Sequence, residues 1–502
     1  LIYSVPDIKI LDIPGIDKFL SIILDSLPFW SDIQTFSISE MGIIDPYQVT
    51  IPYASSFNSF KVLEMNCKKS TNFESFMKEL AKSDETQSKK LFTLSFIRSE
   101  FEKDELTNLQ NFIIEKNIQG LELHDAINRN TMYSFCMHFL STNMMRSLTI
   151  LNLDHTKNIS SYISMIVPKL SNLLALSLAD CDIEVSEVLL YLSRLPKLRI
   201  LNLSNNTCRK AINGLPPSIT TLYLNSVSWC FQTLQLFLTN LPMHHLTLHL
   251  ADISMQQASD YDDLFKKLPT AKSNFLKGLL WDGNRIEQGL FDFLGMNKSL
   301  NFLSLSNCFS DTDEKQVSML QKYLTQSRSV KKLIIQGTKR KFLGNLVESV
   351  ISGVLRAPQI EFLDLTQNKG SNLGLSQMRR LITTHTNLQY FLFDRTKPTK
   401  YDTFSGFLRD ASQNRNLKVS FPIKDMKSML KKGIINEEQF SQSRSFFMNS
   451  SQPEKVYFLF ENHDFPRFFS PAEIEELKKP VVDFDPNKNK QMNDEKSSNS
   501  NH

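Results

Sequence analysis

Apolar residues recur along this chain at the first, fourth and sixth places of a short motif that ends in a polar turn. The clearest copies are LTILNLDHT from Leu148, LLALSLADC from Leu173, LRILNLSNN from Leu198, LNFLSLSNC from Leu300 and IEFLDLTQN from Ile360. Weaker copies fill the gaps. Repeats start at Ile8, Ile33, Phe60, Leu91, Ile118, Leu148, Leu173, Leu198, Ile219, Met243, Leu276, Leu300, Val330, Ile360, Leu388 and Leu417, the last one degraded. Successive starts lie 21 to 33 residues apart, a spacing within the range of leucine-rich repeats.

The fourth and sixth residues alternate with polar ones, so each LxL is a short strand with both apolar side chains on one face. Between strands the period changes. After Ser99, the residues Leu106, Leu109, Phe112 and Ile113 fall at helical spacing, and Val317, Leu320, Tyr323 and Leu324 do the same after Asp313. Each repeat is therefore expected to be one strand plus one helix, stable only when stacked. Parallel strands sit about 4.8 Å apart while packed helices need about 8–10 Å, so the stack must curve with strands inside. The expected fold is an α/β leucine-rich-repeat solenoid, a horseshoe with parallel strands on the concave face, helices on the convex face and about sixteen repeats.

The pattern resembles the ribonuclease-inhibitor-like class of leucine-rich-repeat proteins over roughly residues 8–422. That class favours Asn or Cys at the ninth place, where the side chain bonds the backbone of the turn. Asn206, Asn284, Asn368, Cys181 and Cys308 fit, whereas Lys68, Ala126, Val227 and Ala251 depart from it. The resemblance implies an intracellular protein.

Three segments are expected: the repeat array over 1–422, a C-terminal helical cap over 423–470, and a disordered tail over 471–502. The cap rests on Met426, Met429, Leu430, Ile434 and Phe440 at helical spacing, with the aromatic-rich VYFLFENHDFPRFF after it as a strand or docked loop. The tail is Asn-, Ser-, Lys- and Asp-rich. Nothing shields the first repeat, so a chain cut from a longer protein is expected.

Lys plus Arg total 57 against 53 acidic residues, a net charge of +4 that points to no nucleic-acid role. Six scattered cysteines without a CxxC pair read as reduced, mostly buried thiols. The most apolar stretch, Phe19 to Trp30, is broken by Ser21, Asp25, Ser26 and Pro28, so no transmembrane segment is expected.

The strand positions between and just after the two leucines face the hollow. Over the first fifteen repeats they hold no Lys or Arg but seven acids, Asp12, Glu64, Glu122, Asp154, Asp282, Asp364 and Asp394. An acidic hollow repels phosphate backbones and favours a basic protein surface. The candidate partner-binding residues are Glu64, Glu122, His124, Asp154, Tyr223, His249, Asp282, Asp364 and Asp394, with His249 expected beside Asp282 and His124 beside Asp154. His245 and His249, four residues apart on one strand face, are too distant to share a metal ion. No catalytic residue, metal site or cofactor is expected, because no GxxxxGKS, GxSxG, HExxH or dinucleotide turn is present. Basic runs in KKLIIQGTKRK from Lys331 read as solvated faces or a contact with acidic lipid or an acidic partner.

The leading expectation is a non-catalytic cytoplasmic scaffold that binds a protein, basic in character, through the concave face. A roughly sixteen-repeat array followed by a helical cap resembles the CARMIL family of actin-regulating scaffolds, which implies association with the cytoskeleton and membrane contact only through an N-terminal domain outside this chain. The alternative is a GTPase-activating protein of the Ran type, which LLWDGNRIEQG, with Asn284 and Arg285, resembles. A secreted ligand binder would use sequons such as Asn158-Ile159-Ser160 but lacks a signal sequence.

Overall fold

The computed structural model describes residues 7–10, 17–27, 33–42, 44–82, 91–140, 147–192, 195–212, 214–241, 244–255, 257, 259–267, 275–414, 416–450 and 465–479. They fall into two compact units, one of residues 1–223 with 465–481, the other of residues 224–464 with 482–502.

In the first unit nine parallel strands follow one another, each hydrogen-bonded to the next: Asp7–Ile10, Thr35–Ser39, Val62–Asn66, Thr93–Ile97, Gly120–His124, Ile150–Asn152, Ala175–Ser177, Ile200–Asn202 and Thr221–Tyr223. The register pairs Leu63, Leu94, Leu121, Leu151, Leu176, Leu201 and Leu222 in one unbroken column. None is more than 3% exposed, and burial of each is worth roughly 1.5–3 kcal/mol. Helices cover that side. The helix Lys103–Lys116 buries Leu106, Leu109, Phe112 and Ile113, the residues its periodicity selects.

The second unit repeats the plan with seven strands: Leu246–His249, Leu276–Leu280, Phe302–Ser304, Lys332–Ile334, Phe362–Asp364, Tyr390–Leu392 and Lys418–Val419. Its column runs Leu248, Leu279, Leu303, Leu333, Leu363, Phe391 and Val419. The fold is thus an α/β leucine-rich-repeat solenoid of sixteen strands, one per expected repeat.

Four local departures stand out. In the repeat started at Met243, Leu248 rather than Leu246 pairs with Leu279, after an irregularity between Leu246 and Thr247, so the frame moves by two residues and His249 stands opposite Leu280 rather than beside Asp282. Ile8 pairs with Phe36 and Ile10 with Ile38, which makes Ile8 the fourth residue of its repeat rather than the first. In IKILDI the period-two alternation fits either frame, and pattern alone cannot choose. Val419, opposite Phe391, likewise shifts the last repeat by one residue. The repeat from Leu198, at 21 residues the shortest, has no helix among its described residues. It carries instead the two-residue strand Thr207–Cys208, bridged to Glu184, and the prolines Pro216 and Pro217, which donate no backbone hydrogen.

The ninth-place residues do what the repeat needs. Asn206 donates to the carbonyls of Leu178, Leu203 and Ser204 and accepts from the amides of Cys181 and Ile183. Asn284 and Asn368 bond their turns in the same way. Cys181 and Cys308 place their sulfurs 3.2 and 3.3 Å from the carbonyls of Leu153 and Trp281. All six cysteines are free thiols, five of them buried.

Helices Ile423–Lys431 and Glu437–Ser450 follow the last strand, with Met426 and Met429 buried. Residues Pro471–Lys478, within the segment read as a disordered tail, form a helix in the first unit. Its Ser470 side chain accepts from the Glu473 amide at 3.2 Å, and the Glu473 carboxylate accepts from the Ser470 amide at 2.7 Å, a capping box with Pro471 at the first helical position. Residues 456–464 and 480–502 lie outside the described residues.

Asn206→Ala should cost at least about 2 kcal/mol, because it strands several buried backbone groups at once. Urea unfolding, read by circular dichroism, measures it, and an unchanged midpoint would refute the role given to this side chain.

Candidate functional site

The strand side chains that point away from the leucine columns form an open face, and in the first unit it is occupied. The segment Phe465–Lys479 lies there, with Arg467 between two acids that the sequence places on the face. Ser95 stands opposite Glu64 on one neighbouring strand and opposite Glu122 on the other. The two carboxylates are thus two strand spacings, roughly 10 Å, apart at the backbone, and the small serine leaves room between them. The Arg467 guanidinium fills that gap. Its Nε and Nη2 donate to Glu122 at 2.6–3.1 Å, and Nη2 also reaches Glu64 at 2.7 Å. Ser37 donates to Glu64 from the other side at 2.5 Å.

Glu122 is 1% exposed. Burial alone would push its carboxyl up, but the charge of Arg467, the nearby His124 ring and the hydrogen bonds from Arg467 outweigh it and hold the carboxyl at about 2, against an ordinary 4.5. His124 stands 3.8 Å from Glu122. Burial opposes protonation of its ring, yet Glu122 and the charge of Asp154 together raise its pKa above the ordinary value.

Four further contacts fix the segment. Thr93 Oγ1 donates to the Arg467 carbonyl, and Lys61 Nζ lies 4.6 Å over the ring of Phe468. Gly120 makes the first possible, since a Cβ there would meet Thr93 Oγ1 at 2.0 Å. Phe469, 7% exposed, packs against Ile150, Leu174 and Ala175, with Phe92, Ile200, Phe465, Ile474 and Leu477 around it. Arg199 closes the far end, donating at 2.8 Å to the carbonyls of Leu477 and Lys479 and at 2.9 Å to that of Ser218. A guanidinium on the last carbonyls of a helix satisfies its orphan acceptors and its negative dipole end together.

The other candidate residues are engaged within the repeats. Asp154 accepts from Ser177 Oγ and the Ala179 amide, locking the next turn, and burial raises its pKa despite these bonds. Tyr223, on the last strand of the first unit, is buried. In the second unit His249 is 2% exposed. Asp282 accepts from Ser304 Oγ at 2.6 Å and the Ser306 amide at 2.7 Å, and burial lifts its pKa to about 6 against these bonds. Asp364, fully buried, accepts from Gln336 Nε2 at 2.6 Å and the Thr366 amide at 2.8 Å. Asp394 accepts from the amides of Arg395, Lys424 and Asp425, and so anchors the start of helix Ile423–Lys431. Of the nine candidates, the structure thus brings Glu64, Glu122, His124 and Asp154 together; Asp12 lies outside the described residues.

Two features escape the sequence inventory. The residue just before the first strand leucine also faces outward, and that position carries Ile150, Ala175 and Ile200 in the first unit and Phe302, Lys332, Phe362, Tyr390 and Lys418 in the second. Lys332 stands 5.0 and 4.8 Å over the rings of Phe302 and Phe362, and Lys418 5.2 Å over Tyr390. The face is therefore less acidic than its two counted positions imply. Arg467 is the other omission, and its signal was a lone arginine within an aromatic run.

Asn284 of the Ran-type motif serves its own turn, and Arg285 pairs with Asp262 at 3.0 Å and Glu287 at 3.4 Å. Among the described residues no group of three or more His, Cys, Asp or Glu could hold a metal ion. No described helix is long and apolar enough to cross a membrane.

No family model matches the chain, and no curated protein matches it. Among solved structures it is similar to an internalin from Listeria monocytogenes, at 13% identity and a TM-score of 0.30 over 67% of this chain and 81% of that one. It is also similar to TLR13 in its complex with ssRNA13, at 16% identity and a TM-score of 0.33, over 68% of this chain and 64% of that one.

The shifted groups give two expected pH responses. Because the Glu122 carboxyl is depressed, its ion pair contributes fully above the ordinary 4.5 and is lost as the pH falls through about 2. Amide exchange in 468–478 should accelerate, relative to intrinsic rates, over that window, and Glu122→Gln should abolish the response; a flat wild-type profile would contradict it. Asp282 has the opposite sign, so its burden on stability grows as the pH rises from 3.8 through about 6. Asp282→Asn should flatten that part of the stability profile measured by urea unfolding.

Proposed function

We propose that the chain is a non-catalytic scaffold that binds a protein partner through the open face of its strands, and that the partner presents a basic segment flanked by aromatic residues. One observation carries this reading: in the first unit the face already holds a polypeptide segment of that chemistry, with Arg467 between Glu64 and Glu122 and Phe469 in an apolar recess. A surface that sorts charge at its centre and apolar rings beside it has the layout of a peptide-recognition site. The resemblance to CARMIL supports placing the scaffold in the cytoplasm, in actin regulation. Arg285, held by two carboxylates, gives no support to the Ran-type alternative.

The segment and the partner compete on this reading, so two variants separate the possibilities. Arg467→Ala leaves Glu122 buried without its counter-charge, a loss of about 3–5 kcal/mol that frees the segment. Glu64→Gln with Glu122→Gln also frees it but removes the acids that a partner needs. Quantitative affinity capture from lysate should recover the partner, actin-linked if the family resemblance holds, more strongly with Arg467→Ala than with wild type, and poorly with the double glutamine variant. Equal recovery by all three baits would defeat the proposal. Hydrogen exchange over 468–478 verifies that the segment has been released in both variants.

A further inference from the structure

Turns of the second unit stack lysines at one position in three successive repeats. The Gly337 amide bonds the Thr366 carbonyl and the Gln367 amide bonds the Asp394 carbonyl, each at 2.8 Å, so Gly337, Gln367 and Arg395 are equivalent. Two residues beyond each stand Lys339, Lys369 and Lys397. Arg395 itself and Lys424, from the start of helix Ile423–Lys431, complete a group of five cations around a cavity of about 360 Å³, whose lining also includes Thr338 and Ser428.

No carboxylate among the described residues forms an ion pair with any of the five. Asp425, in the lining, has its oxygens in use, accepting from the Thr396 amide and hydroxyl and the Lys397 amide, and Asp394 accepts from three amides. Arg395 donates to Gln367 Oε1 at 2.8 Å. Lys369 donates to the Lys339 carbonyl at 2.8 Å and lies 3.4 Å over the Phe342 ring. Its pKa is lowered by burial and then by the charge of Lys397, against which the charge of Asp311 acts more weakly. Lys369, Arg395 and Lys397 all have φ between 50° and 57°, which tilts three cationic residues out of the usual conformation at one place.

Like charges at matching places on neighbouring strands repel, and ordinary surface lysines avoid that by pairing or by spreading. We propose that this cavity binds a compound carrying two or more phosphate groups, either free in solution as an inositol polyphosphate or as the headgroup of a phosphoinositide. A monovalent anion cannot span three lysines at strand spacing, whereas several phosphates on one ring meet them together. The cavity is of small-ligand size, and lysines and arginine are the donors that phosphate oxygens select. The KKLIIQGTKRK run supplies Lys339 to this lining.

The test uses the full chain with inositol hexakisphosphate as the soluble probe and, as the lipid probe, phosphatidylcholine vesicles containing phosphatidylinositol bisphosphate. Calorimetry should show binding that weakens with added salt and falls about tenfold or more in Lys369→Ala/Lys397→Ala, but not in Lys315→Ala/Lys322→Ala. Binding of the soluble probe assigns the site to free polyphosphates, and binding of the vesicles alone assigns it to the headgroup. The proposal fails if neither probe binds, if both double variants lose affinity alike, or if phosphatidylserine vesicles bind as well as the phosphoinositide ones. The thermal midpoint of Lys369→Ala/Lys397→Ala without probe, expected at or above that of wild type, separates lost affinity from lost folding.

Discussion

The leucine at the fourth place of each repeat has nothing to pack against except its counterparts on either side and the helix behind. That dependence organises both units. Once Leu63 to Leu222 and Leu248 to Val419 are stacked, the strand direction, the register and the assignment of side chains to the two faces all follow from the period of two. The outward positions are then free of the packing constraint, and it is there that the chain carries charge.

How that charge is used differs along the array. Asp154, Asp282 and Asp364 bind the hydroxyls, amides or amide side chains of neighbouring turns, which strengthens the stack at the cost of burying a carboxylate. Glu64 and Glu122 bind no such turn. They are answered by an arginine from a distant part of the chain, in a contact whose geometry is that of recognition between molecules: a forked cation in an acidic cleft, a ring in a recess, a helix end held by Arg199. In the second unit the balance reverses, with lysines laid over aromatic rings on the face and, among the described residues, stacked at the turns without carboxylate partners.

Much of this was legible in the sequence, for reasons tied to particular residues. The columns could be read because sixteen copies report the same pattern, and Asn206, Asn284 and Asn368 stood out because a buried side-chain amide that bonds a turn cannot be exchanged freely. The frame at Ile8 could not be read, since period two has no phase marker in IKILDI. Treating two outward positions as the whole face hid Lys332 and its aromatic neighbours. The capping box of Ser470 and Glu473 was in plain view, but the polar composition after it overrode the local signal. The partnership of Arg467 with Glu122 has no local signal at all, because nothing in a repeat pattern points to a residue outside the repeats.

Arg467 lies 345 residues after the glutamate it pairs with. At the usual 5–20 residues per second of synthesis, roughly 17 to 70 s pass between the emergence of one and the other. From the synthesis of Tyr223 until that of Arg467, the newly made first repeats present an uncompensated acid pair and an open apolar recess while every strand and helix of the array in this unit is already made. Completion of this unit is therefore timed by translation of the last part of the chain, and the nascent protein passes through a stage in which its face is open to any basic segment nearby.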